Sequence, residues 1–175
     1  MGYQGIRNRF QAAATVVGVL VVLGIGAHVL AQTCTPDFLI TTTPNGPQSN
    51  RLRAAAAFDV NDVWAVGFTN GSFETPRVLH WDGQSWAAMD LFGYQARLNG
   101  IAAESSASVW SVGGEIGHTL ATHWDGNRWS NAPELQLGAG TSFEGVAVVG
   151  GDAWAVGWFV FPGRDETLAV RFRCN

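Results

Sequence analysis

The chain is 175 residues long and carries ten arginines, no lysine and 14 acidic side chains, for a formal charge of −4. The missing lysine excludes lysine Schiff-base chemistry and a phosphate-loop lysine. From residue 32 onward eight arginines meet all 14 carboxylates, a balance of −6, and no basic stripe is present to neutralise a phosphate backbone, so nucleic acid is not an expected partner.

Residues 1–31 read as an export segment. Arg7 and Arg9 precede an uncharged apolar run from Ala12 to Ala31, broken only by small residues and His28. Val29-Leu30-Ala31 fits a signal peptidase site, while the run also has the length of about 20 residues that spans a bilayer. A cleaved signal peptide and a transmembrane anchor over residues 12–31 both remain open. In either case the preceding arginines place residues 32–175 outside the cytoplasm, secreted or held at the outer face of the membrane. Lipidation is not indicated: Thr33 before Cys34 is not the small residue expected there, and Ile6 stands where myristoylation needs Ser or Thr.

The rest of the chain repeats one pattern three times. Copy one spans residues 52–89, with Val63-Trp64-Ala65-Val66-Gly67, then Leu79-His80-Trp81-Asp82-Gly83 and Trp86. Copy two spans 98–132, with Val109-Trp110-Ser111-Val112-Gly113, then His123-Trp124-Asp125-Gly126 and Trp129. Copy three spans 143–173, with Trp154-Ala155-Val156-Gly157, and Arg171-Phe172-Arg173-Cys174 stands where the other copies have His-Trp-Asp-Gly. Trp64, Trp110 and Trp154 are 46 and 44 residues apart, a period that suits blades of a β-propeller.

Within a copy the signals give an antiparallel meander. A small apolar first strand such as Gly100-Ile101-Ala102-Ala103 suits a crowded axis. The second strand is apolar on both faces and is expected between neighbouring blades. The third ends at His-Trp, Asp-Gly supplies a tight turn because glycine accepts positive φ, and the fourth strand carries Trp86 or Trp129. The expected fold is therefore all-β, a propeller with three four-stranded blades per chain preceded by an N-terminal hydrophobic helix.

These copies resemble the tryptophan-rich repeats of secreted bacterial and archaeal β-propellers related to kelch repeats. The resemblance covers roughly residues 36–173 and implies a noncatalytic binding or scaffold surface, without a cofactor. Copy three lacks a fourth strand. Phe38 precedes Leu52 by 14 residues, as Trp129 precedes Phe143, so residues 36–43 take the position of that strand for the last blade. On the same alignment Cys34 and Cys174 replace the turn residues Asp125 and Gly126, which points to a disulfide within or between chains. Because three blades are fewer than the usual 4–8, two chains exchanging N-terminal strands would close a six-bladed homodimer. A tight three-blade monomer with an intrachain bond, an arc completed by a different protein and a shortened relic of a longer propeller are the alternatives.

Trp64, Trp81, Trp86, Trp110, Trp124, Trp129 and Trp154 recur at repeat positions and are expected to pack. Trp158, Phe159 and Phe161 lie in a segment without a close counterpart in copy two and are the candidate ligand-binding residues. His80 and His123 share one position that Arg171 fills in copy three, which suits structure. His118 has no nearby ligands for zinc, and the Asp59, Asn61, Asp62 cluster reads as turn capping. Asp165-Glu166 would alternate to opposite faces of a strand, so no glycosidase pair is assigned, no nucleophile elbow is present, and a hydrolase ranks third among the readings. No catalytic or metal residues are expected. The functional expectation is a protein-binding module, with a lectin using aromatic clefts between blades as the alternative. The loops after the second strands differ in every copy, which favours a protein partner.

Overall fold

A computed structural model describes residues 37–89, 91, 95–115, 117–135, 137 and 140–173. The expected export segment, Cys34 and Cys174 lie outside these residues. The chain divides into two compact units, Met1–Leu39 and Ile40–Asn175. Of the first, Asp37, Phe38 and Leu39 are described and are exposed, without regular structure.

The second unit is built of three antiparallel sheets. The first contains β1 (Ser49–Asp59), β2 (Asp62–Asn70), β3 (Glu74–Trp81) and β4 (Trp86–Met89), in that order across the sheet. The second repeats it with β5 (Ala96–Ser105), β6 (Ser108–Glu115), β7 (His118–Trp124) and β8 (Trp129–Asn131). The third has only β9 (Thr141–Val149), β10 (Asp152–Phe161) and β11 (Arg164–Arg173). Among the described residues the first two blades thus have the four strands expected of them, and the third has the three that copy three itself supplies. Among the described residues, 37–46 form no strand, and β11 has a strand partner on one side only, β10.

The Asp-Gly turns explain how β3 reverses into β4 and β7 into β8. Gly83 and Gly126 have φ of 93° and 92°, a left-handed conformation that costs glycine little. Asp82 Oδ1 accepts the amides of Gln84 and Ser85, and Asp125 Oδ1 those of Asn127 and Arg128, at 2.8–2.9 Å. These amide donors favour the ionised carboxylates and hold both pKa values below 3.8.

The second strands are buried on both faces, over Trp64–Phe68 in β2 and 109–113 in β6, and alternation sends successive side chains to opposite neighbours. Trp64, Val66 and Val78 of the first sheet pack on Leu98, Val109 and Leu120 of the second. Trp110, Val112 and Ala121 of the second pack in the same way on Phe143, Ala153, Ala155 and Phe172 of the third. One face of each blade is therefore a tryptophan face and the other receives the tryptophan of the blade before. First strands β1, β5 and β9 are successive neighbours, with β5 between the other two.

Candidate functional site

The glycine that closes each second-strand motif is set by an event on the neighbouring strand. Pairing of β1 with β2 skips from Leu52/Gly67 to Ala54/Val66, leaving Arg53 unpaired. The same slip leaves Asn99 unpaired between Leu98/Gly113 and Gly100/Val112. In the third blade it leaves Glu144 between Phe143/Gly157 and Gly145/Val156. Each bulge drives a carbonyl, of Arg51, Arg97 or Ser142, into the space that a Cβ on Gly67, Gly113 or Gly157 would occupy. Bulges bend a strand and re-aim a side chain. Here they send three different side chains from equivalent positions into one cavity.

That cavity, of about 440 Å³, is lined by all three bulge residues together with Phe73, Ser142 and Trp158. Asn99 is the buried member, at 8% exposure. Its amide donates to the Phe143 carbonyl at 2.8 Å and to Ser142 Oγ at 3.2 Å. Its oxygen accepts from Arg53 Nη1 at 3.1 Å, and the Arg53 guanidinium also lies 5.4 Å from the centre of the Phe68 ring. Glu144 accepts from Trp158 Nε1 at 3.3 Å. At the same mouth Arg97 pairs with Glu74 at 3.0 Å.

Of the candidate ligand residues, Trp158 is brought into this cavity. Phe159 is half-buried outside it, and Phe161 is exposed with Arg164 5.8 Å from its ring centre. Sequence reasoning passed over Arg53, Asn99 and Glu144. Their shared place in the repeat, one residue after Leu52, Leu98 and Phe143, was the available signal.

The repeat tryptophans behave alike except at the end of the row. Trp64 is 1% exposed and Trp110 4%, whereas Trp154 is 46% exposed. Trp81, Trp86, Trp124 and Trp129 are half-buried; Trp124 and Trp129 lie 5.5 and 5.6 Å from Trp64, and Trp81 lies 5.8 Å from Trp86. Among the described residues Trp154 therefore lacks the cover that Trp64 and Trp110 have. Ala147, Trp154, Val156 and Ala169 form an exposed apolar face whose counterparts in the other two blades are covered by the next blade.

Each of these tryptophans also carries a cationic or aromatic cap. His80 stacks on Trp64 at 4.2 Å and His123 on Trp110 at 4.7 Å. The Arg171 guanidinium lies 5.5 Å from Trp154. Asp62 accepts from both Trp64 Nε1 and His80, each at 2.9 Å, and the equivalent Asp152 accepts from Arg171. Both histidines thus lie against a core ring. Burial lowers the His123 pKa below 6.5, partly opposed by the Asp125 charge.

At the opposite end of the row, Ala55 and Ala57 of β1 are exposed while Ala65 and Leu79 are buried. Residues Ile40–Pro44 border a cleft with Trp81 and Trp86. Trp86 Nε1 donates to Thr41 Oγ1 at 3.2 Å, and Arg77 donates to the Pro44 carbonyl. Between the second and third blades Asn131–Glu134 border a corresponding cleft with Phe172, the counterpart of Trp81. The segment before β1 thus stands against the first blade as the end of β8 and its loop stand against the third.

Among the described residues no cluster of His, Cys, Asp and Glu could hold a metal ion. No family model matches the chain, and no curated protein matches its sequence. Among solved structures it is similar to one described as "YCF48 bound to D1 peptide", at 23% identity and a TM-score of 0.46, over 65% of this chain and 38% of that one. The chain spans well under half the length of that protein. The propeller-like all-β architecture rests on the three sheets themselves and their repeated register.

Proposed function

We propose that the chain is a noncatalytic extracytoplasmic protein-binding module of kelch-like repeats, anchored to the membrane by residues 12–31 where these are retained, and that it binds a second copy of itself. The observation that carries this reading is Trp154, exposed at a position where Trp64 and Trp110 are buried between blades. Leaving such a face in water forgoes the burial that stabilises the other two junctions.

A second copy supplies what the face lacks. Its first blade offers the receiving side, Leu52, Ala55, Ala57 and Val63, the counterparts of residues that already receive Trp64 and Trp110. Its segment 36–43 supplies a strand for the β11 edge. Pairing of Trp124 with Trp129 in the second blade maps onto Phe172 with Phe38, and Thr122 with Asn131 onto Val170 with Ile40. Reciprocal exchange closes six blades about a twofold axis and leaves no free edge.

The test is light scattering on the full chain and on Trp154→Glu. The expected result is two chains for the parent and one for the variant, with circular dichroism unchanged. A single-chain mass for the parent at high concentration would remove the self-association.

A further inference from the structure

The bulge cavity is a site that the docking surface does not use. Its framework is repetitive and its side chains are not: the same slip and the same glycine recur in each blade, while the re-aimed residue is Arg53, Asn99 or Glu144. A residue that served only packing would repeat, as the tryptophans do. Scaffold sameness with side-chain difference is the pattern of a site built on a fold.

Charge selects the ligand class. Among the described residues Arg53 makes no ion pair, and neither does Glu144, although Glu74 and Arg97 at the same mouth neutralise each other. Asn99 stands between the two unpaired charges, bonded to Arg53 on one side and to the Ser142 hydroxyl and the Phe143 carbonyl beside Glu144 on the other. Because both bonds consume a buried amide, Asn99 fixes the spacing of the pair instead of binding a ligand itself. Trp158 and Phe73 add apolar wall. The volume of about 440 Å³ lies at the small-molecule end of pocket sizes, roughly 300–1,000 Å³.

We infer that this cavity binds a small zwitterion of the amino-acid type, its carboxylate on Arg53, its ammonium on Glu144 and its apolar side chain against Trp158. A planar guanidinium takes a carboxylate through two parallel N–H donors, and the Glu144 carboxylate supplies acceptors for an ammonium. Aromatic walls accept an apolar side chain at little entropic cost.

The experiment is isothermal titration of the full chain with each of the twenty free amino acids, with tryptophan fluorescence as a second readout. For each one that binds, its N-acetyl and carboxamide derivatives are titrated in turn. The expected result is saturable binding of at least one apolar amino acid, weakened about tenfold or more by either cap, because each cap strips one charge-assisted contact. Arg53→Gln should weaken the free amino acid and leave little further difference on amidation. Glu144→Gln should do the same for acetylation. Both positions are exposed bulge residues, so unchanged melting curves separate lost binding from lost fold. The inference is overturned by no saturable signal from any of the twenty up to about 10 mM, beyond the weak end of useful affinity, or by capped and free forms binding equally.

Discussion

Residue by residue, the first blade shows what a satisfied repeat looks like and the second shows what it lacks. Asp62 serves Trp64 and His80 together, but its counterpart in the second blade is Ser108, and among the described residues the buried Nε1 of Trp110 has no hydrogen-bond partner. Ser108→Asp should therefore raise stability by about 1 kcal/mol, the net worth of one hydrogen bond made to a buried donor, read as a higher denaturant midpoint with unchanged slope. His123 gives a pH prediction. Its folded pKa lies below 6.5, so the unfolded chain takes up the proton first, and stability falls as pH drops through 6.5 toward the folded value. Asp82 and Asp125, held below 3.8, contribute stability above that value that is lost only as pH falls through their lower folded values. Melting between pH 7.5 and 5 should show a decline that His123→Gln removes; a flat profile in that range would contradict it. Gly67, Gly113 and Gly157 were visible in the sequence as letters of a motif. Their cause was not, because the carbonyl that excludes a Cβ belongs to the adjacent strand.

Strands, turns and blade boundaries were legible because they write themselves locally. Apolar alternation marks Val63–Gly67, and Asp-Gly marks the reversals that Gly83 and Gly126 make with positive φ. The segment at 37–46 was not legible in the same way. Its spacing from Leu52 matches that of Trp129 from Phe143, but a strand exists only when an edge is there to pair with, and β11 lies at the other end of the row. The difference between a finished and an unfinished element is measurable. Trp110→Ala empties a filled junction and should cost about 3–5 kcal/mol. Trp154→Ala removes a ring already half in water and should cost a single chain about 1 kcal/mol or less. Equal losses in chemical denaturation of the two variants at low concentration would mean that the third blade's outer face is already covered within the chain.

At the scale of the molecule the same repeat leaves exposed, among the described residues, a tryptophan face on the third blade and the opposite face of the first, and it brings three unlike bulge side chains to one cavity. The first property follows from the period and could be argued before any coordinates. The second was legible only in part: the shared place after Leu52, Leu98 and Phe143 is visible in the repeat, while the register slips that aim those side chains are not. Joining of the ends is tested most directly by a cross-strand pair. Ile40→Cys and Val170→Cys are placed in separate copies of a chain whose Cys34 and Cys174 are serine, and the two copies are mixed and oxidised. A strand-exchanged ring predicts a disulfide-linked species of two chains in the mixture and little in either copy alone, since directly opposed positions bring Cβ atoms to about 4.5–5.5 Å. Failure of the mixture to crosslink, with both variants folded, would contradict it.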